Sequence, residues 1–153
     1  MREILFRGKD VDTQEWVFGG YSLYPHGRFP CKPTIYDVAD RGIWRPVEVV
    51  PATVGQYTGL KDKNGKRIFE GDIVKAVSRD YIGSMFHGGV VFKRGCYGIE
   101  YHTLPHIWEF KSFHRIGEIG HWQDMGASGT VTYTYEVIGN IHDHPEKLEV
   151  RHE

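Results

Sequence analysis

Residues 54–74 contain the pattern that most constrains the fold, because two β-type segments meet there at the dipeptide Asn64-Gly65. An Asn-Gly pair supplies the two positive φ angles that a two-residue hairpin turn requires. The segment therefore predicts a strand, a tight turn and a second strand. On turn chemistry alone it is a well-made hairpin, and it contains no recognisable reaction centre.

The composition favours many short strands over a helical bundle. The chain has 153 residues, the size of one ordinary domain with a single core. Aromatic residues make up 14% of it, glycine occurs 19 times, and long apolar runs are few. We expect a mainly β fold, either a strongly bent antiparallel sheet or a small SH3-like barrel, with one or two short helical turns.

The clearest single strand is residues 131–138, where apolar and polar side chains alternate with a period of two. Gly139 directly after it predicts a bulge or bend. A meander of residues 70–77, 88–93 and 96–101 is predicted to form the core sheet. Its buried side chains are expected to be Ile73, Val90, Phe92 and Ile99.

Three other segments give less specific patterns. Residues 25–33 carry three prolines and one glycine, so a loop is predicted there. Residues 102–120 are compatible with a short helix after Pro105 and equally with an extended chain. Residues 144–148 predict one helical turn with Pro145 at its first position, where His144 is a poor N-cap.

Charge and cysteine content exclude several classes of protein. The formal net charge is −1, with 19 basic and 20 acidic residues, so bulk attraction to phosphate backbones or anionic membranes is not expected. Cys31 and Cys96 form no CxxC pair, which disfavours a zinc ribbon. No segment reaches the roughly 18 apolar residues of a membrane span. Because the N-terminus lacks a secretory signal, we expect a reducing cytoplasm.

Three blocks of sequence, residues 1–8, 54–74 and 136–148, occur in an order that resembles the YopX family of bacteriophage and prophage proteins. The resemblance implies a mostly β protein without an assigned activity, so no catalytic residue or cofactor carries over from it. Residues 25–46 and 102–129 find no counterpart in the resemblance. We therefore expect a single YopX-like domain over residues 1–153, with these two segments as loop insertions that present a variable surface.

Acidic side chains and histidines raise the possibility of a metal site. Glu70 and Asp72 flank Gly71, and a carboxylate pair at this spacing is compatible with Mg²⁺ binding in a metal-dependent hydrolase or nuclease, aided by some of the nine histidines. The stronger interpretation is that Asp72 fixes a turn by bonding to the backbone. No known catalytic motif occurs, so we expect neither an enzyme, nor a bound metal, nor a cofactor.

Basic side chains cluster around the Asn64-Gly65 turn, and Tyr57 lies on the adjoining strand. Such a hairpin tip is compatible with single-stranded nucleic-acid binding, in which cations contact phosphates and a ring stacks on a base. Asp62 and Glu70 dilute the positive charge, so this stays an alternative. The basic residues concerned are Lys61, Lys63, Lys66 and Arg67.

The function that the sequence favours is an accessory, non-enzymatic protein that binds a host or phage protein in the host bacterial cytoplasm. Aromatic residues outside the three matched blocks suit a protein interface, which makes a homo-oligomer plausible. The predicted contact residues are Lys61, Lys63, Lys66, Arg67, Trp108, Phe110 and Trp122.

Overall fold

The computed structural model describes residues 3–24, 32–39, 43–80, 82–104, 107–115, 121–126 and 129–148. The chain divides into two compact units, residues 1–59 and residues 60–153. The expectation of a single domain over residues 1–153 stays a prediction. None of the helical segments in the described ranges has the length and apolar character that crossing a membrane requires.

The first unit is an antiparallel sheet with the strand order β4-β3-β2-β1-β5. A 3-10 turn at Pro51–Thr53 precedes β5, which runs on into the second unit. The strands are β1 (Phe6–Lys9), β2 (Trp16–Tyr24), β3 (Lys32–Ala39), β4 (Ile43–Glu48) and β5 (Gly55–Lys61). Ile35, Val47 and Val49 form its core, and each is at most 7% exposed.

The second unit contains a seven-stranded antiparallel sheet with the order β10-β9-β8-β7-β13-β12-β11. It also contains β6, which follows β5 across a hairpin, and a closing 3-10 turn at Pro145–Leu148. The strands are β6 (Arg67–Phe69), β7 (Asp72–Ser78), β8 (Met85–Lys93), β9 (Cys96–Leu104), β10 (Ile107–Ser112), β11 (His114–Arg115), β12 (His121–Gly126) and β13 (Gly129–Asn140).

The core of the second unit lies on one face of the seven-stranded sheet, which we call the core face. The alternation at residues 131–138 directs Tyr133 and Tyr135 into it, and both are at most 6% exposed. Leu60 and Ile68 of the β5–β6 hairpin pack against the same face. The other buried members of this core are Val74, Ala76, Val90, Ile99 and Tyr101.

These strands confirm the mainly β, antiparallel prediction and its short helical turns. The described strands form open, bent sheets, since β10 and β11 lie at opposite ends of the seven-stranded sheet, so the SH3-like barrel is not the form they take. The predicted bulge at Gly139 is confirmed by a register shift between Val137 and Gly139.

Two predictions require correction. Phe92 is 54% exposed, because it lies at the end of β8 beside the Arg94-Gly95 turn, beyond the core, where its ring contacts Tyr97. The described parts of 25–46 and 102–129, expected as loops, are mostly strands, from β3 and β4 to β10, β11 and β12, which agrees with the extended alternative for 102–120. The predicted loop at 25–33 falls mainly on residues outside the described ranges.

The Asn64-Gly65 connection also differs from the predicted two-residue turn. Only Gly65 has a positive φ, of 81°, and the Asp62 N–H donates to the Lys66 carbonyl at 2.8 Å. The loop is therefore three residues long, a turn closed by a left-handed glycine. The side chain of Asp62 selects it, as described below.

Candidate functional site

Asp62 anchors the hairpin tip. It is 1% exposed, and one carboxylate oxygen accepts hydrogen bonds from the backbone N–H groups of Asn64 at 2.8 Å and Lys66 at 2.9 Å. The other oxygen accepts from the N–H of Val137 on β13 at 3.1 Å. A buried carboxylate that accepts three backbone hydrogen bonds is a structural group, since its oxygens are already committed.

The four predicted basic contact residues of the hairpin all lie at its exposed surface, namely Lys61, Lys63, Lys66 and Arg67. Lys63 forms an ion pair with Glu136 of β13 at 2.6 Å, which removes part of the positive charge available to a phosphate. The tip is thus a mixed-charge surface. No observation here favours nucleic-acid binding over a solvated turn.

In the predicted carboxylate pair of Glu70 and Asp72, the Asp72 side chain fixes a turn. Asp72 is 2% exposed, and its carboxylate accepts a hydrogen bond from the N–H of Phe69 at 2.8 Å, as the turn interpretation predicts. Among the residues that the structure describes, no group of three or more His, Cys, Asp or Glu side chains is placed to hold a metal ion. Whether the protein has an enzymatic activity stays untested.

Asn140 fixes the turn that leads into the 3-10 turn Pro145–Leu148. The Asn140 side-chain oxygen accepts from the N–H groups of His142 and Asp143, both at 2.9 Å, while its amide donates to the Asp143 carboxylate. The side chains of Ile141 and Leu148 then lie over Gly89 on the sheet face opposite the core.

The same face also carries Trp108, which lies on the edge strand β10. Val77 pairs with Met85, and Trp108 pairs with His102, so alternation places these side chains on the face that Ala76 and Tyr101 do not occupy. We call it the Trp108 face. Its members are Val77, Met85, His87, His102, Trp108 and Phe110.

Apolar side chains on the Trp108 face are unusually accessible. Trp108 is 53% exposed, Met85 is 59% exposed and Val77 is 40% exposed. The Trp108 ring rests against the His102 imidazole with a centroid distance of 3.5 Å, which fixes its position on the sheet. An exposed aromatic side chain that shares a sheet face with exposed methionine and β-branched groups is typical of a protein interface.

Phe110 is held flat on the sheet by a glycine. A Cβ on Gly98 would lie 2.6 Å from the Phe110 ring and 2.3 Å from the carbonyl oxygen of Lys111, so no larger residue fits there without a shift. Phe110 is consequently half-buried and belongs to the rim of the Trp108 face, whereas Trp108 stands out from it.

The third predicted aromatic contact, Trp122, is placed elsewhere. Its backbone lies in β12, opposite Tyr133, and its side chain is outside the described residues. Four strands separate β10 from β12. At about 4.8 Å per strand, Trp108 and Trp122 are about 24 Å apart across the sheet, so they do not form one cluster.

Three aromatic rings surround the Lys111 side chain on the core face, and the sequence alone did not predict this cluster. The ammonium lies 5.2 Å from the Phe86 ring centroid, 5.1 Å from that of Tyr133 and 5.8 Å from that of Tyr101. The Tyr101 hydroxyl donates to Glu109 at 2.7 Å. Burial, and then this hydrogen bond, raises the pKa of the Tyr101 hydroxyl well above its ordinary range.

The comparison with protein-family models confirms the resemblance to the YopX family. The model of the YopX protein family matches residues 5–149, which include every described strand. Among solved structures, the chain is similar to the crystal structure of protein EF1440 from Enterococcus faecalis, with 23% identity, a TM-score of 0.48, and coverage of 97% of this chain and 100% of that chain. A search of curated proteins finds no match.

Proposed function

The chain belongs to the YopX family, and we propose that it is a non-enzymatic accessory protein that binds a host or phage protein through the Trp108 face. The observation that carries this proposal is the exposed apolar surface of Trp108, Met85 and Val77 on a rigid sheet. Exposed apolar groups that gather on one face mark interaction sites more often than scattered ones do.

The difference between the buried carboxylates, which hold turns, and the exposed Trp108 side chain supports the proposal. Asp62 and Asp72, the most deeply buried acidic side chains, accept hydrogen bonds from the backbone and hold turns in place. The Trp108 side chain, in contrast, rests against His102 of β9 and leaves 53% of its surface exposed.

A prophage origin and a cytoplasmic host partner are part of the same proposal. They follow from the phage and prophage character that the resemblance implies. The partner we envisage presents a complementary apolar surface, into which the Trp108 indole inserts as the central contact. The His87 and His102 side chains beside it provide hydrogen-bonding groups at the rim.

The test is a comparison of two exposed aromatic residues. Phe92 is 54% exposed and Trp108 is 53% exposed, and both lie in the second unit. Proteins captured from infected host extract by the intact chain are identified, purified and titrated against Trp108→Ala and Phe92→Ala. We expect Trp108→Ala to weaken binding at least about tenfold, and Phe92→Ala to change it less than about twofold.

An equal loss of binding affinity in both variants would show a general effect of removing exposed aromatic rings and would contradict the proposal. Unchanged affinity in Trp108→Ala would assign the contact to another part of the molecule. Circular dichroism of both variants establishes that each keeps the β fold of the intact chain.

A further inference from the structure

The two asparagines of the chain, Asn64 and Asn140, lie in opposite surroundings. Asn64 is exposed at the tip of the β5–β6 hairpin, and the residue after it is Gly65. Asn140 is 8% exposed, its side chain forms three hydrogen bonds in the turn that follows, and the next residue is the β-branched Ile141. Only Asn64 combines an accessible side-chain amide with a following residue that has no side chain.

An Asn-Gly pair is open to deamidation, because glycine has no side chain to hinder ring closure. In this reaction the backbone nitrogen of Gly65 loses its proton and bonds to the side-chain carbonyl carbon of Asn64. The bond from that carbon to the amide nitrogen breaks, ammonia leaves, and a cyclic succinimide remains. Water then opens the ring at either of its carbonyl groups, which gives aspartate or isoaspartate.

Asp62 holds the backbone that takes part in this reaction. Its carboxylate accepts hydrogen bonds from the N–H groups of Asn64 at 2.8 Å and Lys66 at 2.9 Å, and its carbonyl accepts from the N–H of Gly65 at 3.0 Å. Three consecutive N–H groups therefore donate to one residue. Ring closure requires the Gly65 nitrogen to lose its proton and the Asn64 backbone to rotate, and both require these bonds to break.

We propose that Asn64 is a site of spontaneous deamidation, and that Asp62 sets its rate by keeping the hairpin tip closed. The inference goes beyond the proposed function and does not depend on it. The reaction proceeds from the open tip, so its rate is the rate in an unfolded chain multiplied by the open fraction. The Asp62 carboxylate also accepts from the N–H of Val137 at 3.1 Å, so opening separates the tip from β13.

The reaction changes both the charge and the backbone of the tip. It replaces a neutral amide by a carboxylate beside the exposed Lys63 and Lys66. Isoaspartate also adds a methylene group to the main chain of a short loop, which the Asp62 N–H closes by donating to the Lys66 carbonyl at 2.8 Å. The longer main chain no longer fits this closure, so we expect modified chains to have a loosened tip.

Peptide mapping by mass spectrometry tests the site. The intact chain is incubated at neutral pH, both folded and unfolded in urea, and deamidation is quantified at each asparagine. We expect the folded chain to react at Asn64 and not at Asn140, which is the internal control. We expect the rate at Asn64 to be at least about tenfold lower in the folded chain than in urea, because the tip must open first.

Asp62→Ala tests the control of the rate, with Lys61→Ala beside it as the matched variant. We expect folded Asp62→Ala to deamidate at Asn64 at least about fivefold faster than the intact chain, because three N–H groups lose their carboxylate acceptor. Lys61→Ala is expected to change the rate less than about twofold.

Hydrogen exchange of the Gly65 amide provides a measurement on the intact chain that needs no variant. At low urea concentrations, the deamidation rate is expected to rise in proportion to this exchange rate. Equal deamidation of the folded and the unfolded chain, a rate that does not follow Gly65 exchange, or an unchanged rate in folded Asp62→Ala would overturn the proposal. None of these results bears on partner binding through Trp108, which is measured separately.

Discussion

The two faces of the seven-stranded sheet are built from the same strands and differ sharply in what covers them. On the core face, Ile99 and Tyr135 are at most 2% exposed beneath a cover that includes the β5–β6 hairpin. On the opposite face, the C-terminal turn covers Gly89, while Val77, Met85 and Trp108 remain 40–59% exposed. Apolar burial therefore extends over the core face, whereas the opposite face combines the buried Ile73, which pairs with Gly89, with these exposed side chains.

This difference separates residues that maintain the fold from residues available for binding. Side chains on the core face are expected to contribute to the free energy of unfolding, because their removal leaves cavities. Side chains on the Trp108 face are expected to contribute little to it and much to association. The predictions below test that separation, beginning with the largest change in stability.

Ile68→Ala is expected to reduce the free energy of unfolding by about 3–4 kcal/mol, since Ile68 is 0% exposed in the hairpin that packs on the core face. Val77→Ala on the opposite face is the control, with an expected loss of about 0.5 kcal/mol. Urea unfolding followed by circular dichroism measures both values. Similar losses would remove the distinction between the two faces.

Asp62→Ala is expected to cost about 2–3 kcal/mol, because three backbone N–H groups lose their acceptor. Lys61→Ala, next to it and exposed, is the control and is expected to change stability by less than about 0.5 kcal/mol. Hydrogen exchange at Val137 provides a local readout and is expected to accelerate. An unchanged exchange rate would show that the hairpin tip is held by other contacts.

The raised pKa of the Tyr101 hydroxyl predicts how the stability of the fold responds to alkaline pH. Its folded-state pKa lies above the unfolded value of about 10, so the stability it contributes is complete below pH 10 and is lost as the pH rises further. Above pH 10 the free energy of unfolding is therefore expected to decline as the pH rises. Tyr101→Phe is expected to give a shallower decline from pH 10 to 11. Parallel curves for the two proteins would contradict this assignment.

Trp108→Ala is expected to give the smallest change in stability, about 0.5 kcal/mol or less, since over half of the side chain is already in solvent. Phe92→Ala provides the comparison at equal exposure. Thermal unfolding of both variants measures the difference. A loss above about 2 kcal/mol for Trp108→Ala would place the residue among those that maintain the fold.

Local chemistry made much of the fold predictable. The alternation of Tyr133 and Tyr135 with polar residues, and the bulge at Gly139, follow directly from the period of a half-buried strand. The structural role of Asp72 was likewise readable from its position after Gly71. The turn type at Asn64-Gly65 was not readable from the sequence, because it depends on the burial of the Asp62 carboxylate against β13.

The candidate site was only partly predictable. Trp108 and Phe110 were identified by their aromatic character. Met85, Val77 and His87 were not identified, because they lie in a distant segment of the sequence and only the strand order places them on the same face. The cluster around Lys111 joins β8, β9, β10 and β13, so no single segment contains its pattern. Phe92 continues the apolar alternation of β8, but alternation does not reveal where a core ends, and its side chain is exposed.

The most direct test of the central claim is oxidative footprinting of the Trp108 face in the free protein and in its complex with the captured partner. Trp108 and Met85 are both exposed and readily oxidised, and Phe92 serves as the internal reference. If this face is the contact surface, oxidation of Trp108 and Met85 falls several-fold in the complex while that of Phe92 is unchanged. Unaltered oxidation of Trp108 and Met85 in a saturated complex would contradict the account.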